Sequence, residues 1–93
     1  MFIGTLEIKI HINFSHSLKE KRMVKRSIIQ RVKNKFNVSI AEVEDMDKHQ
    51  LLVLGVSSVS NSKNKASEII QNVYNFIELN VEGEIIDSFI EIL

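Results

Sequence analysis

The sequence predicts an α+β fold of the ferredoxin-like class, a βαββαβ sandwich with two helices on one face of a four-stranded antiparallel sheet. Three observations support this prediction. The chain begins with strict two-residue alternation, it contains two long segments with helical periodicity, and β-type stretches follow each of them. In this order the elements form the split βαβ repeat, whose right-handed crossover makes the first two strands parallel with the third between them. The expected strand order is therefore 4-1-3-2.

The first strand is predicted from the alternation over residues 2–12. A half-buried strand places successive side chains on opposite faces, and here the two sets differ in polarity. The polar set predicts a face open to solvent and comprises Thr5, Glu7, Lys9 and His11. The apolar set predicts a face toward the core and comprises Phe2, Leu6, Ile8, Ile10 and Ile12.

The first helix is predicted to start at a capping box. Ser17 can accept a hydrogen bond from a first-turn amide, and Glu20, three residues later, can reach back to the Ser17 amide. At about 100° per residue the apolar residues that follow fall on one broad face, which predicts a helix packed on the sheet. This face consists of Leu18, Val24, Ile28, Ile29, Val32 and Phe36.

The rest of the chain supplies a hairpin, a second helix and a last strand. Residues 37–44 alternate as a second strand, and polar residues 45–49 supply a turn before a third, apolar strand over 51–59. A stretch rich in Ser and Asn precedes a second helix over about 62–79. Residues 84–93 are rich in isoleucine and form the predicted fourth strand.

The composition fits one small globular domain, residues 1–93. Hydrophobic residues make up 44% and charged residues 26% of the chain, which differs from the composition of a disordered segment. The absence of cysteine excludes thiolate metal sites and cysteine nucleophiles, and it is compatible with a reducing compartment. Polar residues interrupt every apolar run near the start, so we expect neither a signal peptide nor a membrane span there. The expected location is cytoplasmic.

The charge of the chain is divided, although twelve basic and twelve acidic residues cancel. Segment 19–35 holds eight cations and one acid, a charge of +7, so the remaining residues carry four bases and eleven acids. Such a division predicts a surface that faces a polyanion. The eight cations are Lys19, Lys21, Arg22, Lys25, Arg26, Arg31, Lys33 and Lys35.

The first turn of this helix is the sharpest candidate for a binding site. Cations there oppose the positive end of the helix dipole at a cost of about 0.3–1 kcal/mol each, so the cluster calls for an anion. That anion is either an external phosphate, held by amides, hydroxyls and cations, or the acids of the hairpin, Glu42, Glu44, Asp45 and Asp47. A third alternative is a solvated face. The predicted nucleic-acid or anion site comprises Ser15, His16, Ser17, Lys19, Lys21 and Arg22, with Arg26 and Lys33 along the flank.

Other cations of this helix have simpler expected roles. Lys21 and Lys25 lie beside its apolar face, so we expect their stems to cover the core edge while the ammonium groups reach solvent. The alternative is that they flank a groove. Lys35 is expected to complement the negative end of the helix dipole. The alternative is a second basic cluster at this end, formed by Lys33 and Lys35 with Lys63 and Lys65.

Five stretches of the sequence together match the pattern of a known family. They are Ser15-His16-Ser17-Leu18-Lys19-Glu20-Lys21-Arg22, Arg31 to Lys35, Phe36-Asn37-Val38-Ser39-Ile40-Ala41-Glu42-Val43, Leu54-Gly55-Val56 and Ser60-Asn61. With these stretches the chain resembles the YlxP-like family of small bacterial proteins, domain of unknown function 503. The resemblance covers essentially the whole chain, and it implies a ferredoxin-like fold. Genes of this family often lie near those of transcription and translation factors, which implies an association with RNA or ribosomes.

No catalytic or metal-binding pattern occurs in the sequence. It has no nucleophile elbow, P-loop or dinucleotide fingerprint, and its three histidines are too scattered for the ligand spacing of a zinc site. We therefore expect no enzyme activity, no cofactor and no bound metal.

The predicted open face of the sheet indicates how the chain interacts. The outward residues of the first strand and the whole third strand include no aromatic residue, so bases should not stack there as in the RNA-recognition motif. Any RNA contact is then expected to be electrostatic, through the first helix. The third strand is apolar on both sides, which predicts an exposed apolar patch and a homodimer over the sheet face or along an edge strand.

Two functions are consistent with these expectations. The first is a non-enzymatic, RNA- or ribosome-associated protein that contacts phosphates through its first helix. The alternative is a dimeric protein-interaction module whose basic helix meets an acidic partner protein, with no nucleic-acid role. No membrane partner is expected.

Overall fold

The computed structural model describes the whole chain, residues 1–93, and has the predicted βαββαβ order. Each helix begins directly after the serine that caps it, Ser17 for the first and Ser62 for the second. The second strand begins two residues later than predicted, since Phe36 ends the first helix and the next two residues form the connection. The strands are β1 (Phe2–His11), β2 (Ser39–Glu44), β3 (Leu51–Ser60) and β4 (Glu84–Ile92), and the helices are α1 (Leu18–Lys35) and α2 (Lys63–Asn80).

The four strands form one antiparallel sheet in the order β2-β3-β1-β4. Read from the other edge, this is the predicted order 4-1-3-2, and β1 and β2 are parallel because each is antiparallel to β3. The register shifts once in β4, between the partners of Lys9 and Ile10, and once in β2, between Glu42 and Glu44. The outer edges of β2 and β4 have no strand partner.

Both helices pack on one face of the sheet, where the core lies. The apolar set of β1 faces this core as predicted, and Leu6, Ile8 and Ile10 are at most 1% exposed. Helical spacing places the buried residues of each helix on a single face toward the sheet. The helices contribute Val24, Ile28 and Val32 from α1, and Ile70, Val73 and Ile77 from α2.

A glycine in β1 allows α2 to approach the sheet closely. A Cβ atom on Gly4 would lie 2.6 Å from Ile70 Cγ1 and 3.0 Å from the Ala66 carbonyl oxygen. Because the second of these atoms belongs to the helix backbone, a side chain at this position would push α2 away from β1.

The outer side of β3 is less exposed than its apolar sequence predicted. Val53 faces away from the helices but is only 1% exposed, because it lies between Lys9 of β1 and Glu44 of β2, whose long side chains border it. Val59, near the end of the same strand, is 64% exposed. The apolar patch expected along all of β3 is therefore confined to its end.

Candidate nucleic-acid interface

Lys21, at the centre of the predicted site, is buried inside the fold. Its side chain is 3% exposed, and its ammonium group lies 2.7 Å from Glu42 Oε2. It also donates hydrogen bonds of 2.8 and 2.9 Å to the carbonyl oxygens of Asp45 and Lys48. Because the ammonium group is buried among these three oxygen atoms, Lys21 is closed to an external phosphate. This corrects the expectations that Lys21 binds an outside anion and that its ammonium group reaches solvent.

The acids of the hairpin neutralise part of the basic segment. Glu42 contacts Lys25 as well, at 3.3 Å, so one carboxylate serves two cations of α1. Asp45 is shared by Lys9 at 3.7 Å and Lys48 at 3.3 Å. Internal neutralisation, which the sequence left as one of three alternatives, therefore accounts for the two cations next to the apolar face of α1.

The hydroxyl groups of the two serines before α1 are both engaged in hydrogen bonds within the chain. Ser15 is fully buried, and its hydroxyl donates to the Ser17 carbonyl oxygen at 3.0 Å. The Ser17 hydroxyl accepts from the Glu20 amide at 3.1 Å, as the capping box predicted. The Glu20 carboxylate, however, accepts from the His16 amide at 3.1 Å and not from that of Ser17. A carboxylate thus already lies at this helix end, and His16 is an exposed residue.

Two further cations of the segment contact α2. Arg31 donates to the Asn80 carbonyl oxygen at 3.3 Å and to its Oδ1 at 2.8 Å, which ties the two helices together. The Lys35 ammonium lies 5.4 Å from the centroid of the Phe76 ring, within the range of a cation–π contact. Four of the eight cations of segment 19–35 therefore remain without a contact of this kind.

The four remaining cations form one exposed row on α1, which we term the basic stripe. None of them has an ion-pair or side-chain hydrogen-bond partner. At about 100° per residue they fall within about 60° of the helix circumference, and at 1.5 Å per residue they span about 21 Å. The basic stripe consists of Lys19, Arg22, Arg26 and Lys33.

The basic stripe runs along the side of α1 that borders edge strand β2. Lys25, on the same side of the helix, reaches Glu42 of β2, and Lys33 lines a depression of about 510 Å³ together with Ser39 and Ile40 of that strand. The opposite side of α1 faces α2 through Arg31. The stripe is therefore accessible along its whole length.

The open face of the sheet holds an aromatic residue that the sequence did not place there. Phe89 of β4 lies opposite Glu7 and is 62% exposed. It borders a depression of about 480 Å³ over Gly55, which also includes Thr5 and Glu91. The carboxylates at this depression would repel phosphates, so the face does not extend the basic stripe.

No group of three or more His, Cys, Asp or Glu side chains lies close enough together to hold a metal ion. Neither helix has the length and apolar character needed to span a membrane.

Comparison with known proteins identifies the family. The model of a family described as protein of unknown function (DUF503) matches residues 3–90. The chain belongs to the DUF503 family. The DUF503 match includes every residue of the basic stripe. The uncharacterized protein YlxP of Bacillus subtilis (strain 168) is 42% identical over 76 residues, which cover 82% of this chain and 83% of that relative.

A solved structure resembles this DUF503 chain in fold. It is a de novo designed protein with a ferredoxin fold, determined by solution NMR, with a TM-score of 0.51. The likeness covers 100% of this chain and 84% of the designed one at 19% identity, which shows the fold alone. The family and the ferredoxin-like class expected from the sequence are thus confirmed.

Proposed function

We propose that this chain is a non-enzymatic RNA-binding protein, associated with ribosomes, that contacts RNA phosphates through the basic stripe. One observation carries the proposal: four neighbouring cations of α1 stay exposed and unpaired, while Glu42 and Asp45 are held by other lysines. A row of unpaired cations attracts a polyanion by charge and by release of its counterions. The stripe consists of lysine and arginine side chains alone, which supply charge.

The chemistry of the stripe favours RNA over an acidic protein. Energetically important contacts between proteins centre on buried aromatic or apolar anchors. The stripe contains two lysines and two arginines and no aromatic or apolar side chain. The exposed Met23, four residues after Lys19 and three before Arg26, borders the stripe and lines a notch with Phe14. Contact through charge alone is typical of binding to a nucleic-acid backbone.

The salt dependence of RNA binding tests the proposal. The probe is a fluorescein-labelled single-stranded RNA of mixed sequence, whose anisotropy is followed between about 50 and 200 mM KCl. Each cation that contacts a phosphate displaces counterions from the RNA. For four such cations, the logarithm of the association constant should fall with the logarithm of the salt concentration with a slope of about −2.8. Removing two cations should reduce the slope to about −1.4 and weaken binding at 100 mM salt by roughly 25-fold.

The variant that tests the stripe is Arg22→Ala/Arg26→Ala. Its matched control is Lys63→Ala/Lys65→Ala, which removes the same charge from exposed positions at the start of α2. We expect the control to keep most of the affinity and the slope. The proposal is lost if wild type shows no salt-dependent binding, or if both double variants bind equally.

Sedimentation with ribosomal fractions tests the association with ribosomes. Tagged protein is centrifuged at low and high salt, with and without ribonuclease treatment. RNA binding predicts that both ribonuclease and high salt release the protein from the pellet. A complex that survives ribonuclease would instead indicate an acidic partner protein.

A further inference from the structure

The outer edge of β4 offers unpaired backbone groups in its second half. Ile3 and Leu93 exchange both of their backbone hydrogen bonds, at 2.9 and 2.8 Å. Because hydrogen-bonded and non-hydrogen-bonded pairs alternate along an antiparallel ladder, Ile92, Ile90 and Ser88 direct their N–H and C=O groups away from β1. The Ser88 amide donates to the Asp87 carboxylate at 2.9 Å. The amides of Ile90 and Ile92 have no such partner.

Apolar side chains flank this free edge on both faces of the sheet. Ile90 faces the helices and is 39% exposed, although it lies opposite the buried Leu6. Phe89, on the open face, is 62% exposed. An uncovered apolar edge strand is a template for pairing with another strand.

We propose that a second copy of this chain pairs with β4, antiparallel and about a two-fold axis that passes through Ile90. In this register Ile90 lies opposite Ile90 of the second copy, and Ile92 lies opposite Ser88. The free amides of Ile90 and Ile92 then donate to the free carbonyls of Ile90 and Ser88 in the other copy. These are four hydrogen bonds between the two copies. The count assumes that the Ser88 amide still donates to the Asp87 carboxylate and therefore makes no bond to the other copy. The two sheets join into one sheet of eight strands.

The side chains support the same register. On the helix face, the Ile90 side chains of the two copies meet at the axis. On the open face, Phe89 lies opposite Glu91 and diagonal to Phe89 of the second copy, which is within reach of an aromatic ring. No acid lies directly opposite another acid.

Neighbouring registers are less favourable. An axis through Phe89 would place Asp87 opposite Glu91, and like charges in direct opposition destabilise a strand pair. An axis through Ser88 would need the amide that Asp87 already holds, and it would extend into the irregular part of β4 at Ile86. The axis through Ile90 avoids both problems.

Other surfaces fit a second copy less well. Pairing through edge strand β2 would bring together the two basic stripes, which border that edge, and like charges would repel. Stacking of two open faces would bury Glu7, Asp87 and Glu91 against the same residues of the other copy. Edge β4 carries no cation. The inferred dimer does not depend on the proposed RNA binding.

Cysteine cross-linking tests the register directly, since the natural sequence has no cysteine. Directly opposed residues of a hydrogen-bonded antiparallel pair have Cα atoms about 5.5 Å apart, which a disulfide can span. We expect Ile90→Cys to form a disulfide-linked dimer under mild oxidation. In Ile86→Cys, a matched exposed isoleucine of the same strand, the two sulfurs would be separated by about eight residues of strand, or roughly 27 Å. Equal cross-linking of both variants would overturn the register.

Sedimentation velocity over about 1–300 μM tests the dimer without cross-linking. A small edge-to-edge interface is expected to dissociate in the micromolar range, so wild type should shift from 10.7 kDa toward twice that mass. Ile90→Lys should remain monomeric, because it places two like charges directly opposite each other at the axis. Val43→Lys, at an exposed valine of β2, should behave as wild type. Circular dichroism checks that the variants are folded. A wild-type chain that is monomeric at every concentration, or an Ile90→Lys variant that dimerises like wild type, would overturn the inference.

Discussion

Lys21 and Glu42 form a buried ion pair that joins the first turn of α1 to strand β2, with Nζ and Oε2 2.7 Å apart. The same ammonium group holds two carbonyl oxygens of the turn between β2 and β3. The turn includes Asp45 at a φ of 53°, a left-handed conformation that a non-glycine residue adopts only with support. A cation near the start of the basic segment thus fixes the hairpin to the helix.

Replacing Lys21 by Met should lower the free energy of unfolding by about 3 kcal/mol. The change leaves the Glu42 carboxylate, only 11% exposed, with Lys25 as its one remaining cation. It also removes one of the two donors to each of the Asp45 and Lys48 carbonyl oxygens, which keep only a backbone amide. Urea unfolding followed by circular dichroism measures the difference. Lys25→Met is the control, with an expected loss below about 1 kcal/mol, because Lys25 is 29% exposed. Equal losses in the two variants would show that Lys21 contributes no more than a surface ion pair.

Replacing Ser17 by Ala should cost about 1 kcal/mol of stability and leave RNA affinity within twofold. The hydroxyl caps α1 by accepting from the Glu20 amide, and it belongs to no part of the basic stripe. Ser62→Ala, at the corresponding cap of α2, should cost a similar amount or less, because that hydrogen bond is longer at 3.3 Å. Chemical denaturation and the RNA titration are run on the same samples. If Ser17→Ala, but not Ser62→Ala, lowers RNA affinity tenfold or more, the turn before α1 is part of the RNA-binding site.

Alanine should be tolerated at Gly55 but not at Gly4. At Gly4 the added carbon would meet the backbone of α2, so we expect a loss of about 1–3 kcal/mol. At Gly55 it would meet only the Val43 side chain, which is 44% exposed and free to shift. A smaller entropy of the unfolded chain should offset that cost to within about 1 kcal/mol. The midpoints of urea unfolding of the two variants are compared. If Gly55→Ala is less stable than Gly4→Ala, α2 does not pack against β1 as closely as described.

The sequence was sufficient to predict the elements whose pattern is local. Alternation in β1 predicted which side chains enter the core, and the spacing of Ser17 and Glu20 located the start of α1. Helical spacing also placed the cations of the basic stripe together on one flank of that helix. These features depend on backbone periodicity alone, which is why sequence reasoning could reach them.

The contacts of Lys21 and the orientation of Phe89 could not be predicted from local periodicity. The helical position of Lys21 beside the apolar face was correctly inferred, but its acceptors belong to a turn some 24 and 27 residues away. Phe89 was missed because the register of β4 shifts at Ile86. Strict alternation from Ile85, which lies on the helix face, would have placed Phe89 in the core, whereas the extra residue turns it outward.

The burial of Lys21 makes this chain suitable for chemical footprinting. An amine-acylating reagent needs an accessible, unprotonated amine, so it should modify Lys19 and Lys33 in the folded protein and spare Lys21. Mass spectrometry of a single labelled sample would then report two events separately. Protection of the exposed lysines would report occupancy of the helix surface, and labelling of Lys21 would report opening of the hairpin from the helix.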